Sequence, residues 1–299
     1  KIKTQFPNVK LIKNPINEGY AGGCNRGVSQ AEGNYIIFLN NDTTHEPDWI
    51  SLLVNCMEKN KSIGAVQPKI LNYFNNQLFD YAGGSGGHMD VLCFPFARGR
   101  IFLEQEIDKG QYNTSEKIFW ASGTAIMVRK KIFERAGMFD KTFFAHMEEI
   151  DLCWKLYMMG YEVWSEPTSV VYHKNAMTLP MYSIKKYYLN HRNSLFMLCS
   201  NYSFPMMAYI LPLRIGLEII AFFYALSKLD WKHMSAIIMS LLWLISHPHL
   251  IIKKRKHNKS IKTKIDKDIL KNMFKGSIVV AYYLMRKKTY GEISSNASS

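Results

Sequence analysis

The sequence predicts an α/β protein, with a mostly parallel sheet flanked by helices over residues 1–181 and a helical, amphipathic and basic extension over residues 182–299. Three observations carry that prediction. Short apolar runs alternate with segments of helical period, the pattern of a sheet built from strand–helix units. One such run, Ile36-Ile37-Phe38-Leu39, stops abruptly at the polar Asn40-Asn41-Asp42, and open α/β sheets bind ligands beyond the carboxyl ends of their strands. After residue 182 the chain changes character, to long apolar runs followed by a block of lysines.

Taken in order, residues 9–12 read as a short strand, 17–23 as a glycine-rich loop and 24–32 as a helix stopped at Gly33-Asn34. Residues 35–39 form the strand that ends in the polar cluster. Residues 47–59 form a helix, with Trp49, Leu52, Leu53 and Cys56 at helical spacing. Residues 65–71 are a strand. Residues 72–117, rich in Gly, Asn and aromatics around a flexible Gly83-Gly84-Ser85-Gly86-Gly87 centre, read as a long loop with short strands. A strand at 124–128 and a short helix at 130–136 follow, and then a helix at 148–159 closed by Gly160. Strands at 161–164 and 169–172 complete the region, the second ending at His173.

A chain of 299 residues with 47% hydrophobic content can bury a sizeable core, which excludes global disorder. Its five cysteines are scattered and show no Cys-x-x-Cys pair, against a disulfide framework or zinc site and in keeping with a reducing cytoplasm. The net charge of +14 is concentrated late: from Lys253 to Lys288 there are 13 Lys and Arg against Asp266 and Asp268. The opening at Lys1 reads as mid-domain sequence, so an amino-terminal piece is expected to precede it, and no signal peptide is visible.

Asp42 is the candidate metal ligand, because a carboxylate flanked by amides suits a hard cation such as Mg2+ or Mn2+ that also holds phosphate oxygens. By itself Asn40-Asn41-Asp42 is equally the signature of an Asx turn. Gly19, Gly22 and Gly23 are candidates to approach a phosphate-bearing ligand through backbone N–H groups, although glycines ahead of a helix are common turn devices. Neither a Walker lysine pattern nor Gly-x-Gly-x-x-Gly is present. Glu149 is the candidate general base. The bland alternative is that Glu148, Glu149 and Asp151 decorate a first helical turn, with Asp151 and Lys155 an i,i+4 surface pair. His173, ending a strand, is a second candidate metal ligand. Trp120 and Gly123 are candidates for an acceptor wall, aromatic rings being suited to sugar faces.

Five segments in this order carry a resemblance: Asn17-Glu18-Gly19-Tyr20-Ala21-Gly22-Gly23-Cys24-Asn25, Phe38-Leu39-Asn40-Asn41-Asp42-Thr43, Ser122-Gly123-Thr124-Ala125, Gly137-Met138-Phe139-Asp140, and Phe143-Phe144-Ala145-His146-Met147-Glu148-Glu149-Ile150-Asp151-Leu152-Cys153. Together they resemble family 2 glycosyltransferases, particularly bacterial rhamnosyltransferase-like members, over about residues 1–180. The resemblance implies a GT-A fold, a nucleotide-sugar donor, a divalent cation and inversion at the anomeric carbon. It implies that Asp42 holds the metal, with Asn40, Asn41, Gly22, Gly23 and Asn25 on the donor side. It implies that Glu149 is the base, where the family more usually has Asp, that His173 lies at the metal or diphosphate, and that Glu148 and Asp151 lie with Trp120 and Gly123 toward the acceptor. The family's first strand and the Asp that contacts the nucleotide base are expected to precede Lys1.

In the extension, residues 206–226 are long enough to span a bilayer. Arg214 near their centre would cost about 2.5–3.5 kcal/mol on insertion scales, and Pro212 adds a kink. With the shorter run at 235–245 and the basic block, the expectation is an interfacial helical hairpin, apolar faces in the leaflet and lysines on an anionic membrane surface. Ordinary core helices are the alternative. Nucleic acid is not the expected partner. The expected protein is a metal-dependent inverting glycosyltransferase, peripheral or monotopic on the cytoplasmic face of the cell membrane, that moves a sugar such as rhamnose onto a cell-surface polysaccharide or lipid-linked glycan. A nucleotidyltransferase of similar fold and a non-catalytic glycan-binding relative stay open.

Overall fold

The computed structural model describes residues 2–174 and 183–294. It opens with α1 (Ile2–Gln5), and the expected strand at 9–12 does not form: Val9, Leu11 and Ile12 are exposed and belong to neither sheet. The run's apolar side chains are exposed, so no burial offsets the entropy of ordering it as a strand. Helix α2 (Gly19–Val28) starts earlier than its sequence pattern and takes in the glycines, burying Ala21, Gly22, Asn25 and Val28 on one face. β1 (Tyr35–Leu39), β2 (Thr43–His45), α3 (Trp49–Lys59) and β3 (Ile63–Asn72) follow.

The segment after β3 is a small antiparallel sheet rather than a loop. Its strands β4 (Gly87–Met89), β5 (Pro95–Ala97), β6 (Arg100–Ile101) and β7 (Glu104–Gln105) lie side by side in chain order. The glycine centre expected to be flexible is buried. A Cβ on Gly87 would fall 2.1 Å from the Trp120 ring, so glycine lets that indole pack flat on the backbone.

β8 (Glu116–Ile118), β9 (Ala125–Arg129), α4 (Lys130–Arg135), a 3-10 turn (Lys141–Phe143), α5 (Glu148–Met158) and β10 (Glu162–His173) complete the main sheet, ordered β1-β9-β3-β10-β2 with β8 also on β10. The α/β class holds, but the sheet is mixed rather than mostly parallel. Only β3 and β10 run parallel, and the other four pairings are antiparallel. Apolar periodicity marks where strands lie and carries no direction, and β9 returns from the small sheet to lie antiparallel between β1 and β3. The two strands expected at 161–172 are one. Their Glu166-Pro167-Thr168 interruption is a bulge opposite Pro68 of β3, which has no N–H for the ladder. Alternation along β9 sorts the core: Ala125 and Met127 face Trp49, Leu53 and Met57 of α3, while Ile126 and Val128 face the side of α5.

Seven further helices follow: α6 (Ile184–Asn201), α7 (Phe204–Ser227), α8 (Trp231–Ser246), α9 (Pro248–Ile261), α10 (Asp266–Leu270), α11 (Ile278–Tyr283) and α12 (Tyr290–Ser294). The division expected near residue 182 falls among residues outside those described. The core does not divide there, since Phe196 and Met197 of α6 and Ile210 of α7 share one cluster with Phe143, Ile150 and Trp154. Ile278, Ala281 and Ile293 clasp Phe96 and Ile101 of the small sheet. Buried Asp90 accepts from the backbone N–H of Ile278 at 2.9 Å.

Helix α7 is turned inside out. It buries Ile210, Arg214, Glu218 and Ala225 and exposes Tyr209, Leu213, Ile220 and Phe223. Arg214, read from sequence as a charge that a bilayer would resist, points inward to Glu218 at 2.5 Å. The basic block is likewise not all surface. Lys254 of α9 is buried between Asp140 (2.9 Å) and Asp151 (2.7 Å), and Arg255 donates to the Cys199 carbonyl at 2.6 Å. Lys253, Lys256 and Lys259 are exposed.

Candidate active site

The polar ends of β1 and β10 meet at one point. Asp42 lies in the turn between β1 and β2, and β2 pairs antiparallel with the last residues of β10, so the register Thr43↔His173 brings Asp42 beside the imidazole. Asp42 Oδ1 is 3.3 Å from His173 Nε2, and Asn40 Nδ2 is 3.4 Å from the same nitrogen. His173 Nδ1 lies 3.0 Å from Oδ1 of fully buried Asp80. With its proton on Nδ1, the ring presents a free Nε2 lone pair next to the Asp42 carboxylate. A second carboxylate orienting a histidine in this way is the usual outer support of a metal ligand. Burial pushes the His173 pKa down, but Asp80 and Asp42 outweigh it and raise it overall.

No group of three or more His, Cys, Asp or Glu side chains converges on a metal position among the described residues. Two protein donors fit a hard divalent ion that takes its other ligands from phosphates and water. Asp42 and His173 are the residues that would hold it.

Asp42 and His173 line a cleft of about 470 Å³ that Glu148 and Glu149 also line. Both glutamates have an Oε2 that is buried without a protein partner. Burial pushes Glu149 up to about 7 against the pull of nearby backbone N–H groups. Burial, with Glu149 and Asp151 adding to it, pushes Glu148 well above the carboxylate range. Burial thus disfavours ionisation of both, and the charge of one carboxylate disfavours ionising the other.

The turn that delivers these glutamates is strained: Phe144, His146 and Met147 have φ of 63°, 68° and 74°. Helix α6 holds it in place. Asn193 Nδ2 donates to the carbonyls of Phe143 (3.1 Å), Ala145 (2.9 Å) and His146 (2.6 Å), and Arg192 donates to Thr142 and Phe143.

Of the residues singled out from sequence, Asp42, Asn40, His173, Glu148, Glu149, Trp120 and Gly123 line this cleft. Trp120 stands on Gly87 and donates Nε1–H to the His88 carbonyl at 2.7 Å, and the Gly123 carbonyl accepts from the Tyr20 hydroxyl at 2.6 Å. The others lie elsewhere. Gly22 and Gly23 are inside α2 and do not line the cleft; the close approach in this segment is at Gly19, where a Cβ would fall 2.1 Å from the Phe144 carbonyl oxygen. Asn25 clamps the backbone of Phe139, donating to its carbonyl at 2.8 Å and accepting from its N–H at 3.1 Å. Asn41 is exposed in the turn. Asp151 is fully buried away from the cleft, between Lys254, Lys155 (3.5 Å) and Asn201 Nδ2 (2.9 Å), so its pair with Lys155 is internal rather than a surface one. Sequence reasoning missed Tyr20, Tyr81, Arg100, His146, Lys186 and His191, all of which line the cleft. The polar run Asn190-His191-Arg192-Asn193 was the available signal for the α6 residues.

Residues 1–137 match the family described as Glycosyl transferase family 2. N-acetylglucosaminyl-diphospho-decaprenol L-rhamnosyltransferase of Mycobacterium tuberculosis is 24% identical over 186 residues, 57% of this chain and 60% of that protein. Poly-β-1,6-N-acetyl-D-glucosamine synthase of Staphylococcus epidermidis is 26% identical over 163 residues, 54% of this chain and 35% of that protein. The chain therefore spans 60% or less of the length of these relatives. The solved structure of GalNAc-T7 with UDP, GalNAc and Mn2+ superposes with a TM-score of 0.53 at 16% identity, covering 82% of this chain and 47% of that one. This likeness shows that the fold is GT-A.

Proposed function

We propose, from the match of residues 1–137 to glycosyl transferase family 2, that the chain is a metal-dependent, inverting glycosyltransferase acting on a nucleoside-diphosphate sugar. The observation that carries the reading is that the unpartnered Glu148 and Glu149 oxygens open on the same cleft as the Asp42–His173 pair. Buried polar atoms without partners are rare in folded proteins, and a substrate hydroxyl supplies what these lack.

Glu149 accepts the proton of the acceptor hydroxyl. The acceptor oxygen attacks the anomeric carbon from the face opposite the diphosphate. The bond from that carbon to the diphosphate oxygen breaks, its electron pair leaves with the nucleoside diphosphate, and the configuration inverts. Protonated Glu148 donates a hydrogen bond beside it. Trp120 and Gly123 form the wall against which the acceptor lies. Asn193 and Arg192 keep the strained turn in the geometry that aims Glu149. Asp42 and His173 would hold Mg2+ or Mn2+, which would supply neutralisation of the charge growing on the diphosphate.

The acceptor is proposed to be a cell-surface polysaccharide or lipid-linked glycan, and the rhamnosyltransferase relative makes rhamnose the first sugar to test. The protein sits peripherally on an anionic, cytoplasmic membrane face. Supporting this are the apolar surface of α7 and α8, including Phe223, Trp231, Leu242 and Ile245, and the exposed lysines of α9. The test is transfer by the full-length protein from a panel of nucleoside-diphosphate sugars with Mn2+ or Mg2+. Release of nucleoside diphosphate and an inverted linkage by NMR are expected. Release of inorganic pyrophosphate, or undiminished turnover in Asp42→Ala, would overturn the proposal.

A further inference from the structure

Buried cations in this chain are paired with carboxylates: Lys69 with Asp108 at 2.7 Å, Arg98 with Glu116 at 2.8 Å, Arg214 with Glu218 at 2.5 Å, and Lys254 with Asp151 at 2.7 Å. Arg192 donates to backbone carbonyls and stacks on the Trp243 ring, and its Nε, like that of Arg214, is buried without a partner. Two cations that line the cleft, one buried and one half-buried, form no ion pair among the described residues. Arg100, on β6, is 9% exposed, gives Nη1–H to the Phe102 carbonyl at 3.0 Å, and leaves Nε buried without a partner. Lys186, in the first turn of α6, forms no ion pair among the described residues. Both lie over one ring, Arg100 Cζ 4.6 Å and Lys186 Nζ 5.8 Å from the centre of Tyr81.

No Asp or Glu of the described residues forms an ion pair with either cation. Asp80 acts on Arg100 through space; its Oδ1 faces His173 and accepts from the Ala82 N–H, and its Oδ2 is buried without a partner. The two cations instead work against each other: burial and then Arg100 lower the Lys186 pKa, and burial and then Lys186 hold His146 down to about 4. Two unneutralised cations facing one cleft form a site for an anion with several acceptor oxygens.

We propose that Arg100 and Lys186, bridged by Tyr81, form an anion subsite that binds a phosphate group carried by the acceptor. The anion is assigned to the acceptor because the two residues come from the small sheet and α6, not from the strand ends that carry Asp42 and His173. Phe94, Pro95 and Phe102 line the same part of the cleft, so a phosphate attached to an apolar group suits it. The same cleft wall includes Arg214 of α7, whose other side is the exposed apolar face. The inference rests on the proposed transferase reading of the cleft and names the class of its acceptor.

The test is calorimetric titration of the full-length protein with inorganic pyrophosphate in EDTA, alone and with saturating UDP, GDP or dTDP. Binding that persists alongside each nucleotide is expected, weakened at least about tenfold by Arg100→Gln and by Lys186→Met, as for loss of a charged hydrogen bond. Asp42→Ala is expected to abolish transfer and leave pyrophosphate binding intact. A wild-type protein that binds pyrophosphate but transfers no sugar would therefore sink the transferase reading and not the subsite. Absence of binding, unchanged binding in both variants, or displacement by a nucleoside diphosphate would overturn the proposal, the last by assigning the cations to the donor. Thermal melts separate a structural role: Lys186→Met is expected to melt no lower than wild type, whereas a drop in melting temperature together with lost binding would overturn the subsite.

Discussion

Replacing Glu149 by Gln removes a carboxylate whose ionisation the fold opposes, so activity and stability should move in opposite directions. The carboxyl has an ordinary value of 4.5 and is pushed up to about 7 by burial in the folded protein. A folded value above the unfolded one means that stability is fully present below 4.5 and is lost as pH rises through about 7. The gap corresponds to about 3 kcal/mol at pH 8, taking about 1.4 kcal/mol per pH unit. Glu149→Gln should therefore be more stable than wild type by up to about 3 kcal/mol at pH 8 and by nothing at pH 4. Urea denaturation at the two pH values measures this. Turnover should fall by about 10²–10⁴, the usual range for a general base. In the wild type, a base of this value is about 90% ionised at pH 8 and about 10% at pH 6, so kcat/KM should drop about tenfold between them. A flat profile from pH 6 to 8, or a Glu149→Gln enzyme within tenfold of wild type, would refute the assignment.

Other perturbations test the frame around the site. Asp80→Asn removes the carboxylate behind His173 and should weaken Mn2+ binding about 10- to 100-fold, measured by titration, with little change in the fold. Asn193→Ala deprives three carbonyls of the strained turn of their donor; kcat should fall by at least about tenfold with KM little changed, and equal effects on both would argue against a positioning role. Lys254→Met leaves Asp140 and Asp151 without their shared cation and should destabilise by about 3–5 kcal/mol in urea melts. Ile220→Glu with Phe223→Glu charges the outer face of α7 and should reduce flotation with anionic vesicles, while a soluble pool with unchanged vesicle binding would count against a membrane-facing surface.

Residue chemistry that depends on local position was legible before the fold was known. Asp42 follows an apolar strand and Glu149 opens a helix, and both line the cleft. The glycine segment reads equally as a ligand-cradling loop or as the start of a helix, and only the fold shows Gly22 and Gly23 within α2, away from the cleft. Asp151 was placed by its neighbours in sequence, whereas its partner Lys254 comes from a helix more than a hundred residues away.

The sequence by itself determined the α/β class, the position of most strands and helices, and the identity of the metal and base candidates, because apolar period and polar strand or helix ends are local signals. Tertiary structure alone decided the strand directions, the inversion of α7 so that Arg214 and Glu218 face the protein, and the attachment of α6 to the turn bearing Glu149. It alone also brought Arg100 and Lys186 over one ring. These arrangements depend on contacts between residues far apart in the chain, and such contacts leave no periodic trace in a single sequence.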